Sequence, residues 1–219
     1  MDPVDDTISA KFDLLIKIVV VGDSGVGKTS LLERYITNEF EGTHKPTIGV
    51  DSRYKLITKN GKRIKVHFFD TAGQERFYSL TSQTFNGSHG AVLVFDITKR
   101  NSFQKLSYWF DKINESCGST INKILIGNKI DMLENREVSY DDAKKYAEDK
   151  DVLYLETSAL TNQNDCVQVA FNKIIDDTID EILKNQEELE QVEFREARRT
   201  TLTLKRRPEN KEAPKKKCC

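Results

Sequence analysis

Three glycines, a lysine and a threonine near the start of the chain have the spacing of a loop that holds phosphate groups. Residues 22–29 read GDSGVGKT, with an apolar run before them and a helical pattern after them. Glycine lets the backbone turn its N–H groups toward phosphate oxygens, and the N-terminus of the following helix adds a favourable dipole. Lys28 is then placed to contact the outer phosphates, and the Thr29 hydroxyl to ligate Mg²⁺. The pattern indicates a nucleoside triphosphate but does not identify the base.

A second polar group follows a later apolar strand and bears on the base. Asn128, Lys129 and Asp131 come at the carboxyl end of that strand, the edge at which such sheets bind ligands. A carboxylate can accept two hydrogen bonds from the N1–H and 2-amino groups of guanine, a donor pair that adenine lacks. Sites built on such polar pairs discriminate by about 10⁴–10⁵. We therefore expect guanine, with the segment Ser158–Ala159 after the next strand directing the Ala159 N–H at the guanine O6.

A third group ends another strand and suits hydrolysis. Residues 70–75 read DTAGQE. We expect Asp70 to hold Mg²⁺ through water, the Gly73 N–H to meet the γ-phosphate, and Gln74 to orient the attacking water. Upstream, Thr47 offers a second hydroxyl to Mg²⁺. An aspartate at a strand end is more often a helix cap and a lone threonine an ordinary loop residue, but the order of all the motifs favours the nucleotide interpretation.

The elements that must position these residues alternate along the chain. Apolar and β-branched runs predict strands at 14–21, 50–58, 62–69, 91–95, 123–126 and 152–155. Helical patterns lie at about 28–37, 102–116, 139–149 and 163–184. Asn60-Gly61 between the second and third strands is a strong hairpin signal. The sequence thus predicts an α/β fold with a doubly wound, mostly parallel six-stranded sheet and one antiparallel edge hairpin.

Charge divides the chain into parts. The net charge of the 219 residues is −1, but Arg195 to Lys217 contains ten Lys and Arg against three Asp and Glu, a local charge of +7. The remainder is acidic, so no global basic field suggests binding to nucleic acid. We predict a short N-terminal extension at 1–10, one nucleotide-binding domain at 11–184, and a flexible basic tail at 185–219.

Several classes of protein are disfavoured. The N-terminus is acidic where a secretory signal is basic, and the apolar run 14–21 is too short to span a bilayer. Cys117 and Cys166 lie in helical patterns without zinc spacing, and the other two cysteines end the chain. This usage indicates a reducing compartment. The three histidines form no metal-ligand pattern.

Together the motifs resemble those of the Rab branch of the Ras-like small GTPases. The resemblance rests on GDSGVGKTS, PTIG, FFDTAGQERF, LVFDIT, GNKID, ETSAL and a terminal Cys-Cys, and covers residues 11–184 plus the last two cysteines. It implies the P-loop small GTPase fold and a switch between GTP-bound active and GDP-bound inactive states that regulates vesicle and membrane traffic. It also implies slow intrinsic GTP hydrolysis, stimulated by an activating protein.

The resemblance also assigns residues to the site. Residues 24–30 would cradle the phosphates, Phe40 would pack beside the guanine, and Thr47 and Gln74 would lie in the two switch segments. The full expected set is Gly22, Ser24, Gly25, Val26, Gly27, Lys28, Thr29, Ser30, Thr47 and Gly73 on phosphate; Phe40, Asn128, Lys129, Asp131, Ser158 and Ala159 on guanine; Thr29, Thr47 and Asp70 on Mg²⁺; and Gln74 as the catalytic residue.

Partners and location are implied in the same way. We expect a monomer that binds a guanine nucleotide exchange factor, a GTPase-activating protein, effectors, an escort protein and a GDP-dissociation inhibitor. Geranylgeranyl groups on Cys218 and Cys219 would anchor it to the cytoplasmic face of intracellular membranes, with a cytosolic pool. A chain that ends in these two cysteines lacks a C-a-a-X signal.

Some positions depart from the Rab pattern, and other functions are open. The departures are Ser52, Phe69 and the stretch Thr84-Phe85-Asn86-Gly87. These positions resemble the aromatic patch that Rab proteins present to effectors, and the replacements, with Phe85 among them, reflect either altered specificity or neutral drift. A P-loop phosphotransferase would need a second substrate pocket and an arginine-bearing lid, and the sequence suggests neither. A constitutively GTP-bound scaffold is disfavoured by the intact Gln74.

Overall fold

The computed structural model describes residues 11–40, 42, 47, 49–71 and 85–205. The chain divides into two compact units, 1–179 and 180–219. The first contains the sheet, and the described part of the second continues the last helix. The domain boundaries predicted at residues 10 and 184 stay predictions.

Six strands form one sheet in the order β2-β3-β1-β4-β5-β6. Every neighbouring pair is parallel except β2 and β3, which are antiparallel. This confirms the predicted fold class. The strands are β1 (Leu14–Val21), β2 (Val50–Lys59), β3 (Lys62–Thr71), β4 (Gly90–Asp96), β5 (Asn122–Asn128) and β6 (Leu153–Thr157).

The hairpin at the β2 edge closes through two residues. Lys59 pairs with Lys62, and Asn60 and Gly61 between them have φ values of 52° and 74°. Positive φ at both central positions is the geometry that Asn-Gly favours, because its twist matches that of the flanking strands.

Helices cover both faces of the sheet, and this explains the nearly continuous apolar strands. On one face Tyr35, Phe68 and Phe171 pack ring to ring, with Tyr35 and Phe171 stacked at 4.8 Å. On the other face Phe95 and Phe110 belong to a large buried cluster. The helices are α1 (Lys28–Thr37), α2 (Arg100–Gln104), α3 (Leu106–Cys117), α4 (Tyr140–Asp149) and α5 (Cys166–Lys205), with short 3₁₀ segments at Ile130–Asn135 and Gln163–Asp165.

Two predicted helices need correction. The stretch expected at 102–116 is two helices, divided at Lys105. The last helix begins at Cys166 and extends to Lys205, well beyond the expected end near residue 184. Its added length is rich in Glu, Arg, Leu and Gln, which favour helix without an apolar stripe. Among the described residues, no helix has both the length and the apolar character to cross a bilayer.

Candidate nucleotide-binding site

The loops that carry the predicted site residues leave one edge of the sheet. β1, β4, β5 and β6 are mutually parallel neighbours, so their carboxyl ends meet at that edge. The loop 22–27 follows β1, Asn128 ends β5, and Ser158 follows β6. Parallel α/β sheets bind ligands in this crevice.

Glycine is required in the loop after β1 for two different reasons. Gly22 has a φ of 146°, and a Cβ there would lie 2.1 Å from the Val94 carbonyl oxygen. Gly27 has a φ of 98°, and its Cβ would lie 2.3 Å from Nδ2 of Asn128. The loop therefore lies close against β4 and β5, an approach that a side chain at either position would prevent.

Helix α1 begins directly after this loop. Gly27 is its N-cap and, lacking a side chain, makes no capping hydrogen bond to the first N–H groups. Since these donors and the helix dipole face the same edge as the loop, they form a suitable site for an anion.

Lys28 is buried at the start of α1. Its side chain is 5% exposed, and Nζ donates to the carbonyl oxygens of Gly22 (3.0 Å) and Asp23 (2.9 Å). Burial lowers the pKa of Lys28 to about 8, while the carboxylates of Asp70 and Asp23 act in the opposite direction. The ammonium group is thus held inside the loop by backbone oxygens, where a phosphate oxygen would stabilise its charge.

Three side-chain oxygens meet beside Lys28. The Thr29 hydroxyl lies 2.8 Å from that of Thr47 and donates to Oδ2 of Asp70. Asp70 is 1% exposed, and its Oδ1 is buried without a hydrogen-bond partner among the described residues. Burial raises the pKa of this carboxyl, and the Thr29 hydrogen bond and the Lys28 charge lower it. Hard oxygen donors of this kind suit Mg²⁺, and the orphaned Oδ1 supports a site for that ion.

Asn128 joins the β5 end to the phosphate loop. Its buried Nδ2 donates to the Val26 carbonyl oxygen (2.8 Å). Its Oδ1 accepts longer hydrogen bonds of 3.4 Å from the Thr157 hydroxyl and the Ala159 N–H. One amide therefore fixes three segments relative to each other.

Lys129 makes a second connection of this kind. Its backbone is left-handed (φ 74°), and Nζ donates to the Gly25 carbonyl oxygen at 2.9 Å. The same Nζ lies 2.6 Å from Oδ2 of the fully buried Asp96. Thr98 donates to the other Asp96 oxygen through both its N–H and its hydroxyl. Asp96 thereby orients Lys129.

Asp131 lies across the cavity from the phosphate loop. Its Oδ1 accepts from the Ser158 hydroxyl at 2.5 Å, and an ionised carboxylate has enough lone pairs to accept further hydrogen bonds from a ligand. A cavity of about 200 Å³ opens here, lined by Gly27, Ser30, Phe40, Asn128, Lys129, Asp131, Met132, Ala159 and Leu160. Its size and polar groups suit a purine base.

The structure thus brings most predicted site residues together. The expected phosphate, guanine and metal residues that it describes surround one cavity and the adjoining loop. Gly73, Gln74, Cys218 and Cys219 lie outside the described residues.

Sequence reasoning missed several residues that support the site. Asp96 ends β4, a strand-end position like that of Asp70, and this signal could have identified it. Arg136 donates to both carboxylate oxygens of Glu156 at 2.7 and 2.8 Å, two residues before Ser158. Met132 and Leu160 add apolar walls, for which the sequence contains no distinctive pattern.

The expected aromatic patch is wrong in one part. Phe85 is fully buried in the core cluster and its side chain cannot contact a partner. Phe69 is half-buried, and its ring packs tilted against that of His67, with centroids 3.9 Å apart and 42° between the planes. Ser52 is exposed. The replacement at Phe85 therefore serves packing, whereas Ser52, Phe69, Asn86 and Gly87 are at least partly exposed. Thr84 lies outside the described residues.

Comparisons with known proteins agree with this geometry. The model described as "Ras family" matches residues 17–180. Ras-related protein RABA5c of Arabidopsis thaliana is 41% identical over 174 residues, 80% of each chain. Ras-related protein Rab-11A of Dictyostelium discoideum is 43% identical over 75% of this chain and 76% of its own. GTP-binding protein YPT1 of Saccharomyces cerevisiae is 41% identical over 72% and 76%.

Proposed function

The chain belongs to the Ras family of small GTPases, in its Rab branch, and from this premise we propose a switch that is active with GTP and inactive with GDP. As a member of this family it is a GTP hydrolase. The observation that carries the proposal is the cavity between the phosphate loop and the polar residues after β5 and β6.

Guanine is recognised by Asp131 and Ala159. The Asp131 carboxylate, oriented by the Ser158 hydroxyl, accepts from N1–H and the 2-amino group, and the Ala159 N–H donates to O6. Phe40 and the alkyl chain of Lys129 pack against the base. An adenine would leave the carboxylate unpaired, and this is the source of discrimination.

Asp131→Asn tests the base assignment. The amide can donate to the 2-carbonyl oxygen of xanthine but cannot accept from the guanine 2-amino group in the same position. We expect affinity for GTP to fall and affinity for xanthosine triphosphate to rise. Competition between the two nucleotides on wild type and variant measures the change, and an unchanged GTP preference would show the base assignment to be wrong. Asp141→Asn, at an exposed position of α4, is the matched control.

The phosphates are held by the loop 22–27 and the first turn of α1. Backbone N–H groups of residues 24–30 donate to phosphate oxygens, and Lys28 neutralises the outer charge. Thr29, Thr47 and Asp70 would hold Mg²⁺, with Asp70 acting through water. When bound, this ion neutralises charge on the β- and γ-phosphate oxygens during transfer.

Hydrolysis changes the state of two segments. Gln74 orients the attacking water, and the Gly73 N–H and Thr47 hold the segments around them while the γ-phosphate remains. Loss of this group releases both segments and so alters the partner-binding surface. An activating protein that supplies an arginine adds about 10³–10⁵-fold for the related protein Ras, and we expect stimulation here.

The cellular role follows from the Rab relatives. We propose that the GTP-bound form recruits effectors that regulate vesicle and membrane traffic. A guanine nucleotide exchange factor and a GTPase-activating protein set the balance of states. An escort protein delivers the chain for lipidation, and a GDP-dissociation inhibitor extracts it into the cytosolic pool.

The tail anchors the protein to the cytoplasmic face of membranes. Two geranylgeranyl chains on Cys218 and Cys219 bind firmly, because each buried CH₂ contributes about 0.8 kcal/mol. The lysines at 215–217 add about 1 kcal/mol each against an anionic leaflet. We expect Cys218→Ser/Cys219→Ser to move the protein to the soluble fraction while Cys166→Ser does not. Fractionation with mass spectrometry of the C-terminal peptide tests this, and a membrane-bound double variant would contradict it.

A further inference from the structure

Arg34, one turn after Ser30 on α1, makes three hydrogen bonds to backbone carbonyl oxygens outside its own helix. Nε donates to Ala159 (2.9 Å) and one terminal nitrogen to Leu160 (3.1 Å). The other terminal nitrogen donates to Asn38 at 2.6 Å. A guanidinium that serves three carbonyls fixes their separation, because its donors are rigid and planar.

Two of these three acceptors belong to the base cavity. Ala159 and Leu160 both line it, and so does Ser30, which shares a helix face with Arg34. Arg34 therefore spans from the helix that follows the phosphate loop to the loop that follows β6. Its bonds determine how far apart the two walls of the cavity stand.

The third acceptor lies where the chain leaves α1. Asn38 is the C-cap, left-handed at a φ of 59°, and its N–H donates to the Arg34 carbonyl oxygen at 3.1 Å. Gln168 of α5 donates to that carbonyl and to the Asn38 side chain, both at 3.3 Å. Arg34 and Asn38 are thus held together through main chain and side chain. Asn38 begins the segment that leads to Phe40 and Thr47.

We propose that Arg34 is a positioning residue that holds the Ala159–Leu160 loop in register with α1 and so fixes the Ala159 N–H for the guanine O6. The inference rests on the proposed guanine site and deepens it. Arg34 is not among the residues that line the cavity. It acts through the carbonyl oxygens of Ala159 and Leu160. Its hydrogen bond to the Asn38 carbonyl oxygen also holds the start of the segment that leads to Thr47.

Replacement of Arg34 should have a base-specific effect. Arg34→Gln should release GDP about tenfold faster than wild type, the order expected for loss of hydrogen bonds from a charged donor. Arg34→Lys should release GDP nearly as fast as Arg34→Gln, because lysine keeps the charge but cannot form the planar fork of hydrogen bonds. Arg100→Lys is the matched control and should match wild type, because the Arg100 guanidinium donates to the Glu137 carbonyl oxygen and to Asp142, which do not line the cavity.

The decisive probe is 6-thioguanosine diphosphate, in which sulfur replaces O6 while N1–H and the 2-amino group remain. Wild type should prefer GDP over this analogue, since sulfur is the weaker acceptor. In both Arg34 variants the preference should shrink toward unity, with circular dichroism melting curves confirming that they fold. A general loss of stability would accelerate release of both nucleotides and leave the preference intact.

The outcomes separate the two proposals. Wild-type release rates in Arg34→Gln and Arg34→Lys would overturn the inference, and so would faster release with an unchanged preference. A wild-type protein that binds GDP without preferring it over the thio analogue would also overturn it, with the guanine site intact. A wild-type protein that binds neither nucleotide would refute the proposed function itself.

Discussion

Gly27→Ala perturbs the contact that joins the two halves of the site. A Cβ at residue 27 would lie 2.3 Å from Nδ2 of Asn128, far inside van der Waals contact. Asn128 is 2% exposed and cannot swing into solvent. Its displacement breaks the 2.8 Å hydrogen bond to the Val26 carbonyl oxygen. The φ of 98° adds backbone strain that glycine avoids.

The magnitude follows from these two costs. A non-glycine residue in a sparsely populated backbone region costs about 1–3 kcal/mol, and a lost hydrogen bond costs about 0.5–1.5 kcal/mol. We expect Gly27→Ala to lower the free energy of unfolding by about 2–4 kcal/mol. Because Asn128 also lines the cavity, GDP affinity should fall at least about tenfold.

Gly61→Ala provides the matched control. Gly61 has a φ of 74° in the β2–β3 hairpin, and a Cβ there would meet no atom within 4 Å. This variant carries strain of about 1–2 kcal/mol without a clash and should bind GDP like wild type. Urea unfolding and nucleotide titration compare the pair. Equal losses of stability, or unchanged GDP affinity in Gly27→Ala, would refute the role of this contact.

Two further predictions concern catalysis and pH. Gln74→Leu should lower activator-stimulated single-turnover GTP hydrolysis and leave nucleotide affinity nearly unchanged. Thr29→Asn should instead weaken GTP·Mg²⁺ binding and favour GDP. An unchanged hydrolysis rate in Gln74→Leu would exclude Gln74 from the catalytic role. Burial, followed by the charges of Lys17 and Lys65, lowers the pKa of His67 from 6.5 to about 4. The unfolded chain then binds the proton that folded His67 resists, so stability falls as pH drops from about 6.5 to about 4. His67→Gln should flatten this fall in denaturation at pH 7 and pH 5, and an equal pH dependence would contradict the assignment.

Local patterns in the sequence identified the elements and their order. The apolar runs, Asn60-Gly61 and the glycines of residues 22–29 each reflect a constraint that acts within a few residues. The parallel topology then dictates that strand ends meet, so Lys28, Asp70 and Asn128 could be placed at one edge before their contacts were known.

Contacts between distant segments were beyond such patterns. Arg34 reads as an ordinary helix residue, and its acceptors are backbone carbonyls, which every residue possesses. Identifying the role of Asp96 requires knowing that the Lys129 side chain lies beside the end of β4. Phe85 appeared exposed by analogy, although its side chain fills the core. The helix beyond residue 184 has no apolar stripe, so periodicity could not reveal it.

Hydrogen bonds connect the proposed guanine-binding residues to the loop 22–27 that we propose binds the phosphates. Asn128 at the end of β5 and Lys129 directly after it donate to the Val26 and Gly25 carbonyl oxygens of the loop 22–27. Arg34 links the helix after that loop to Ala159 on the other side. Residues coupled in this way have non-additive effects. Displacing one loop should therefore weaken the proposed binding of both the base and the phosphates.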